Sequence, residues 1–258
     1  MTASEHVYPG LMPISRSDIN FLNGPFKTIE GWCIDEAAWL TTHLIRFQQA
    51  KAWVAPAYEI GVYKGKYLSV LANCLRAPAS FTVGFDIYEW VSVDEVTSVL
   101  TNAFGSLEGI RLVAGDSTQM DAKRVMDHLD GQLASFISVD GSHEPEPVYS
   151  DLVLSEATLQ PWGIVAIDDF VNSAAIGVVD GAMRFLHTSG TELVPFCYCQ
   201  NKLFLSAKDT APDYSEAVYQ FCEENPHLPK VKALLENKVT RGLHWVKQRF
   251  VGQQIWTI

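Results

Sequence analysis

Four residues carry the most readable chemistry in the chain: Asp140, His143, Asp168 and Asp169. They follow two short apolar runs, SFISVD (135–140) leading into GSH (141–143), and GIVAID (163–168) leading into DF (169–170). Runs rich in Ile and Val, without helical periodicity, predict buried strands of a parallel sheet. In an open α/β sheet, ligands bind beyond the carboxyl ends of the strands. If the two strands are neighbours, three carboxylates and an imidazole enter one pocket. Three such carboxylates repel and cannot all stay ionised without a counter-charge. A hard divalent cation such as Mg²⁺ would supply that charge, because it prefers carboxylate oxygens. The pattern predicts a metal site with a base beside it.

The elements that must position these residues alternate along the chain. Apolar spacing predicts a helix over 32–50, then strands at 57–60, 81–86, 110–116, 135–140 and 163–168. Helices are expected between them at 63–76, 93–104, 122–131 and 148–160, the last stopped by Pro161. After these come a helix over 176–190 and a hairpin of 191–199 with 201–208, turning at Gln200-Asn201. Strands alternating with helices imply right-handed crossovers and a parallel sheet covered on both faces. Residues 1–28, with Pro9, Pro13 and Pro25, read as an irregular arm. The segment from about Asp213 reads as two short helices split at Asn225-Pro226. The expected fold is α/β, a doubly wound, mostly parallel, seven-stranded sheet. Residues 1–50 would be an arm and cap helix, 51–208 the catalytic domain and 209–258 a helical extension.

Bulk properties narrow the function. The 258 residues are long enough for one sizeable α/β domain. There are 19 basic and 30 acidic residues, a net charge of −11, and no basic run. That balance disfavours nucleic acid or an anionic membrane as partner, since both require a basic face. No apolar run approaches the roughly 20 residues of a membrane span. The first residues have neither the basic nor the apolar region of a secretory signal. The five cysteines (Cys33, Cys74, Cys197, Cys199, Cys222) are odd in number and scattered, as reduced thiols of a cytoplasmic protein would be.

The other strand ends also carry chemistry. Glu59-Ile60-Gly61-Val62-Tyr63-Lys64-Gly65 lies between the first strand and its helix, where glycines permit a tight turn and close approach to a ligand. It is not GxGxxG and lacks a Walker lysine, which disfavours a dinucleotide or a nucleoside triphosphate. Asp86 ends the second strand, where a carboxylate accepts ribose hydroxyls. Asp116, followed by Ser117, ends the third, where it could accept an adenine amino hydrogen. Any one such Asp is more often a turn former or a cap. Three in succession favour a ligand.

This combination resembles the class I S-adenosylmethionine-dependent methyltransferases, with EIGVYKG as their glycine motif, GFD as the ribose position and AGDS as the adenine side. The block 139–170, with D-G-S-H and I-D-D-F, is similar to the metal-dependent macrocin and mycinamicin sugar O-methyltransferases. The resemblance spans about residues 30–208, and Trp162 departs from it where the family commonly has glycine. It implies S-adenosylmethionine held by Glu59, Gly61, Gly65, Asp86, Asp116, Ser117 and Asp140. It also implies a divalent cation held by Asp140, Asp168 and Asp169, with His143 as general base.

A hydroxyl is a poor nucleophile at neutral pH, and a bound cation lowers its pKa. A histidine near its ordinary pKa of about 6.5 can then accept the proton. The reading is a metal-dependent O-methyltransferase acting on a small hydroxylated molecule, a sugar or glycosylated natural product. A catechol or phenol acceptor, a non-catalytic S-adenosylmethionine-binding protein and a dinucleotide oxidoreductase are the alternatives, and homo-oligomerisation stays open. Segments 9–30 and 170–176 are candidate lids. Glu144, Glu146, His187, His227 and His244 read as surface or loop residues. Trp32, Trp39, Trp90 and Trp162 read as packing residues or pocket walls.

Overall fold

The first three parallel strands form because β-branched and aromatic residues recur between glycine and Asp turn signals. In the computed structural model, which describes residues 14–76, 80–188 and 190–258, they are preceded by three helices. These are α1 (Arg16–Asn23), α2 (Pro25–Thr28) and α3 (Asp35–Ala50), followed by β1 (Ala57–Ile60) and α4 (Lys66–Cys74). Then come β2 (Thr82–Asp86), α5 (Val93–Phe104), β3 (Ile110–Ala114), a 3₁₀ turn (Ser117–Gln119) and α6 (Ala122–His128). The second half runs β4 (Ala134–Val139), α7 (Pro145–Thr158), β5 (Leu159–Ile167), α8 (Ile176–Thr188), β6 (Leu193–Cys199) and β7 (Lys202–Ala207). It ends with α9 (Ala211–Glu224), α10 (Pro229–Arg241), a 3₁₀ turn (Leu243–Trp245), β8 (Lys247–Phe250) and β9 (Gln253–Thr257).

All nine strands join one sheet in the order β3-β2-β1-β4-β5-β7-β6-β9-β8. β3, β2, β1, β4 and β5 are mutually parallel, while β7 runs antiparallel to β5 and to β6. The order reverses between β1 and β4, and ligands bind at such a switch point. One apolar cluster packs α1, α3, α4 and α9 on one face, including Leu22, Leu40, Phe136, Phe196 and Phe221. A second packs α7 and α8 on the other, including Tyr58, Ile137, Leu152, Ile167 and Phe185. The doubly wound expectation holds. No helix among the described residues is long and apolar enough to cross a membrane.

Three expectations are corrected. The sheet has nine strands rather than seven, because the last residues form a hairpin whose β9 pairs parallel with β6 (Cys197 opposite Trp256). Its turn at Val251-Gly252 has positive φ at both residues, the primed geometry that matches strand twist. The single Val-Gly signal was outweighed in the sequence by the helical stretch before it. Residues 14–28 are not an irregular arm. Ser15 Oγ accepts from Asp18 N and the Ser15 N–H donates to Asp18 Oδ2, a capping box that starts α1, and Phe21, Leu22 and Phe26 are buried. Residues 9–13, the rest of that candidate lid, lie outside the described residues. Finally, α7 ends at Thr158, and Pro161 and Trp162 lie within β5, past a register shift at Ala134/Phe136.

Candidate active site

Register alone brings the β4 and β5 carboxylates together. Val139 pairs with Ile167, so Asp140 and Asp168 lie side by side one residue further on, and Asp168 N donates to Val139 O at 2.9 Å. On the opposite edge of β5, Ile167 pairs with Leu203, which places Asp168 across from Lys202. Lys202 Nζ lies 2.5 Å from Asp168 Oδ2, and the Lys202 side chain is 1% exposed. The Tyr67 ring stands 4.0 Å from the same ammonium, a cation–π contact.

Asp169 is oriented differently from its neighbour. Its φ is +53°, which turns the chain sharply after β5. Its Oδ1 accepts from Asn172 at 2.8 Å and Asn201 at 3.1 Å, and Oδ2 lies 3.0 Å from His143 Nε2. Donor atoms of Asp140, His143 and Asp169 all lie within 4.8 Å of one another. Asp140, His143 and Asp168 line one cleft with Gly141, Ile167 and Val178. Gly177 lets α8 close on it, since a Cβ there would stand 2.3 Å from His143 O.

The three carboxylates expected at this site all reach the ends of β4 and β5, but with different partners. Asp140 and Asp169 meet beside His143, whereas Asp168 is turned inward onto Lys202, because the β5–β7 register places an ammonium there. Its other oxygen, Oδ1, accepts from Asp169 N at 2.8 Å. The counter-charge that the sequence reading sought from a metal alone is supplied in part by a lysine. Burial raises the Asp140 carboxyl well above its ordinary value, Asp168 adds to that, and Lys202 opposes it. For Lys202, burial works against the charge, but Asp168 and Asp140 outweigh it and hold the ammonium above the ordinary lysine value.

The other residues expected to hold the cofactor lie in β1 and at or just beyond the ends of β1, β2 and β3, next to the switch point between β1 and β4. Glu59, 1% exposed, leaves Oε2 without a hydrogen-bond partner. Burial raises it well above the usual carboxylate range, against the pull of Lys202. Gly61 has φ +84°, and a Cβ there would stand 1.9 Å from Asp140 O. The close approach it permits is between the β1 and β4 ends of the chain itself. Gly65 caps α4 at φ +80°. Asp86 Oδ2 accepts from Val62 N at 2.7 Å and Tyr63 N at 3.0 Å, and Oδ1 from Tyr88 N at 2.6 Å. A carboxylate has about four acceptor sites, so one remains for a ligand hydroxyl. Asp116 Oδ1 accepts from Thr118 N at 2.9 Å and caps the turn holding Ser117.

Three residues at the site escaped the sequence reading. Lys202 opens an otherwise apolar strand directly after the Gln200-Asn201 turn, and that lone charge was the available signal. Asn201 supports Asp169. Asp151, on α7, is 1% exposed, with Oδ1 unpartnered and Oδ2 3.5 Å from where a Cβ on Gly141 would stand. Burial raises its carboxyl to about 6, Ser117 opposing. It bridges the loops after β3 and β4, and the helical pattern gave no hint of it.

Trp32, 79% exposed, stacks on Tyr63 with ring centroids 5.2 Å apart. Trp53 stacks on Trp162 behind β5, and Trp39 is buried in the core. His187 is exposed, and His227 packs edge-on against Trp39. The cysteines are free, and burial pushes Cys33, beside Lys202 and Asp168, up to about 12.

Residues 58–170 match the family model described as a methyltransferase domain. No curated protein matches the chain. Among solved structures, the fold is similar to CalS11, a TDP-rhamnose 3'-O-methyltransferase of calicheamicin biosynthesis (TM-score 0.53, 18% identity, 74% of this chain and 95% of that one). It is also similar to the O-methyltransferase NovP (0.56, 13%, 66% and 80%). A third is an O-methyltransferase from Bacillus cereus in complex with SAH (0.52, 15%, 76% and 91%). At these identities the likeness establishes the fold. The methyltransferase-domain match spans less than half of the chain, and within it the unpartnered Glu59 oxygen and the Asp86 clasp are groups that could accept from a ligand's ammonium or hydroxyls.

Proposed function

We propose that the protein is an S-adenosylmethionine-dependent O-methyltransferase that uses a divalent cation and acts on a small hydroxylated molecule. The meeting of Asp140, His143 and Asp169 beside the orphaned Glu59 oxygen carries this reading. Glu59 Oε2 accepts from the ammonium of the methionine moiety, Asp86 from the ribose hydroxyls, and Asp116 with Ser117 borders the adenine edge. Asp140 and Asp169 would hold the cation, which would supply a Lewis acid that makes an acceptor hydroxyl easier to deprotonate. His143 would accept the proton through its imidazole, and Asp169 Oδ2, 3.0 Å from Nε2, would steady the imidazolium that results. The cleft walls from β4, β5 and α8 fix the acceptor's orientation, a contribution of several kcal/mol in well-aligned transfers.

We take the acceptor to be a sugar or glycosylated natural product. The resemblance to sugar O-methyltransferases carried by D-G-S-H and I-D-D-F leans that way, and CalS11 is described as a TDP-rhamnose 3'-O-methyltransferase. The catalytic unit is assigned to residues 51–208, with 1–50 as cap and 209–258 as an extension that lengthens the sheet. A cytoplasmic location and a non-nucleic-acid, non-membrane partner complete the reading.

Methyl transfer from labelled S-adenosylmethionine to a panel of nucleotide-linked sugars and catechols, with and without EDTA, tests it. Sugar methylation lost to EDTA and restored by Mg²⁺ is expected. Activity indifferent to chelation removes the cation, and turnover on catechols alone replaces the acceptor class.

A further inference from the structure

Lys202 is the only lysine or arginine buried among the described residues. It is placed to serve several carboxylates at once. It pairs with Asp168 at 2.5 Å, its charge acts on Asp140 and Glu59, and Tyr67 closes the far side with its ring. Both Asp168 oxygens are engaged, Oδ2 by the ammonium and Oδ1 by Asp169 N at 2.8 Å. A doubly charged ion on Asp168 would sit close to a fixed ammonium in a poorly screened interior, where like charges repel strongly. Asp168 also lines the cleft, but the donor atoms that lie within 4.8 Å of one another there are those of Asp140, His143 and Asp169, and the Asp169 side chain is 18% exposed against 4% for Asp168. Mg²⁺ is commonly held by one or two carboxylates plus substrate oxygens and water, so two suffice.

We propose that Lys202 is a resident cation of this active site: it withdraws Asp168 from the divalent-ion site, leaving Asp140 and Asp169 as the carboxylate ligands. Lys202 is thereby a positioning residue. It splits the adjacent pair Asp168 and Asp169 into an inward structural carboxylate and an outward ligand. The inference rests on the cation part of the proposed function.

The test is Mn²⁺ binding to the full chain, measured by electron paramagnetic resonance of the free ion, with folding checked by circular dichroism. Removing a buried charge pair together leaves no uncompensated charge, so Asp168→Asn/Lys202→Met keeps the fold testable. That double variant is expected to bind Mn²⁺ within about threefold of wild type, whereas Asp169→Asn loses about thirtyfold or more, the scale of losing a ligand or its support. Lys202→Met alone releases Asp168 toward the cleft and is expected to bind Mn²⁺ about tenfold tighter. If wild type binds and the double variant loses Mn²⁺ as Asp169→Asn does, Asp168 is a ligand and the inference falls alone. If wild type binds no Mn²⁺, the cation reading falls and takes this inference with it.

Discussion

The ends of β1 and β2 and the ends of β4 and β5 lie side by side, yet they are organised by different forces. At β1 and β2, one carboxylate, Asp86, is clasped by three backbone N–H groups, from Val62, Tyr63 and Tyr88. Orientation there comes from backbone N–H groups of a glycine-rich turn donating to one carboxylate. At β4 and β5, three carboxylates crowd one edge, and a buried ammonium decides which of them faces out. Backbone bonds can preorganise a loop without fixing its charge, while a buried ion pair fixes charge and leaves its partners expensive to remove. The first region suits recognition of a ligand. The second suits chemistry.

The largest expected effect tests the chemical half. His143→Gln keeps a polar side chain but loses the proton acceptor, and turnover should fall by about 10²–10⁴-fold, the usual worth of a general base. S-adenosylmethionine affinity, measured by calorimetry, should stay near wild type. Equal losses in turnover and affinity would instead make His143 part of the recognition half.

A third place, on α3, shows the cost of burying an imidazole whose nearest acid, Glu224, stands 3.9 Å from Nδ1. His43 on α3 has both ring nitrogens without hydrogen-bond partners, and burial lowers its pKa to about 4. The unfolded chain, near 6.5, binds the proton first, so stability is full above pH 6.5 and falls as pH drops toward 4. The shift corresponds to about 3 kcal/mol. Urea unfolding of His43→Leu should show a flatter stability profile between pH 6.5 and 4 than wild type. An unchanged slope would assign the acid limb to other groups.

Asp86→Asn tests the recognition half. It keeps the side chain's shape but loses charge-assisted acceptance, at about 1.5–3 kcal/mol per bond to a charged group. A drop in cofactor affinity with turnover at saturation preserved is expected. Lost turnover at saturating cofactor would break the division between the two regions. The smallest effect belongs to Trp32→Ala. An exposed ring stacked on Tyr63 should change thermal stability by no more than about 0.5 kcal/mol, the usual range for surface substitutions. A change in acceptor KM alongside it would make that ring a wall of the cleft.

Much of this was legible in the chain. Apolar runs bounded by Gly and Asp marked the five parallel strands, and each carboxylate at a strand end was readable from its place after the run. The helical cap over 16–28 was hidden by its prolines, although Pro25 merely starts α2, where its missing N–H costs nothing. The terminal hairpin was hidden because its partner, β6, is almost 60 residues away and only the fold brings them together. Asp151 looked like any polar residue on a helix.

The sequence by itself determined the α/β alternation, the glycine turn after β1, and the presence of acidic groups at four strand ends, because these follow from local periodicity and turn chemistry. Tertiary structure alone decided which carboxylates would act together. Strand order set Lys202 against Asp168, and the turn at Asp169 swung that carboxylate toward His143. Charges interact through space, and their distances are fixed only once register and topology are.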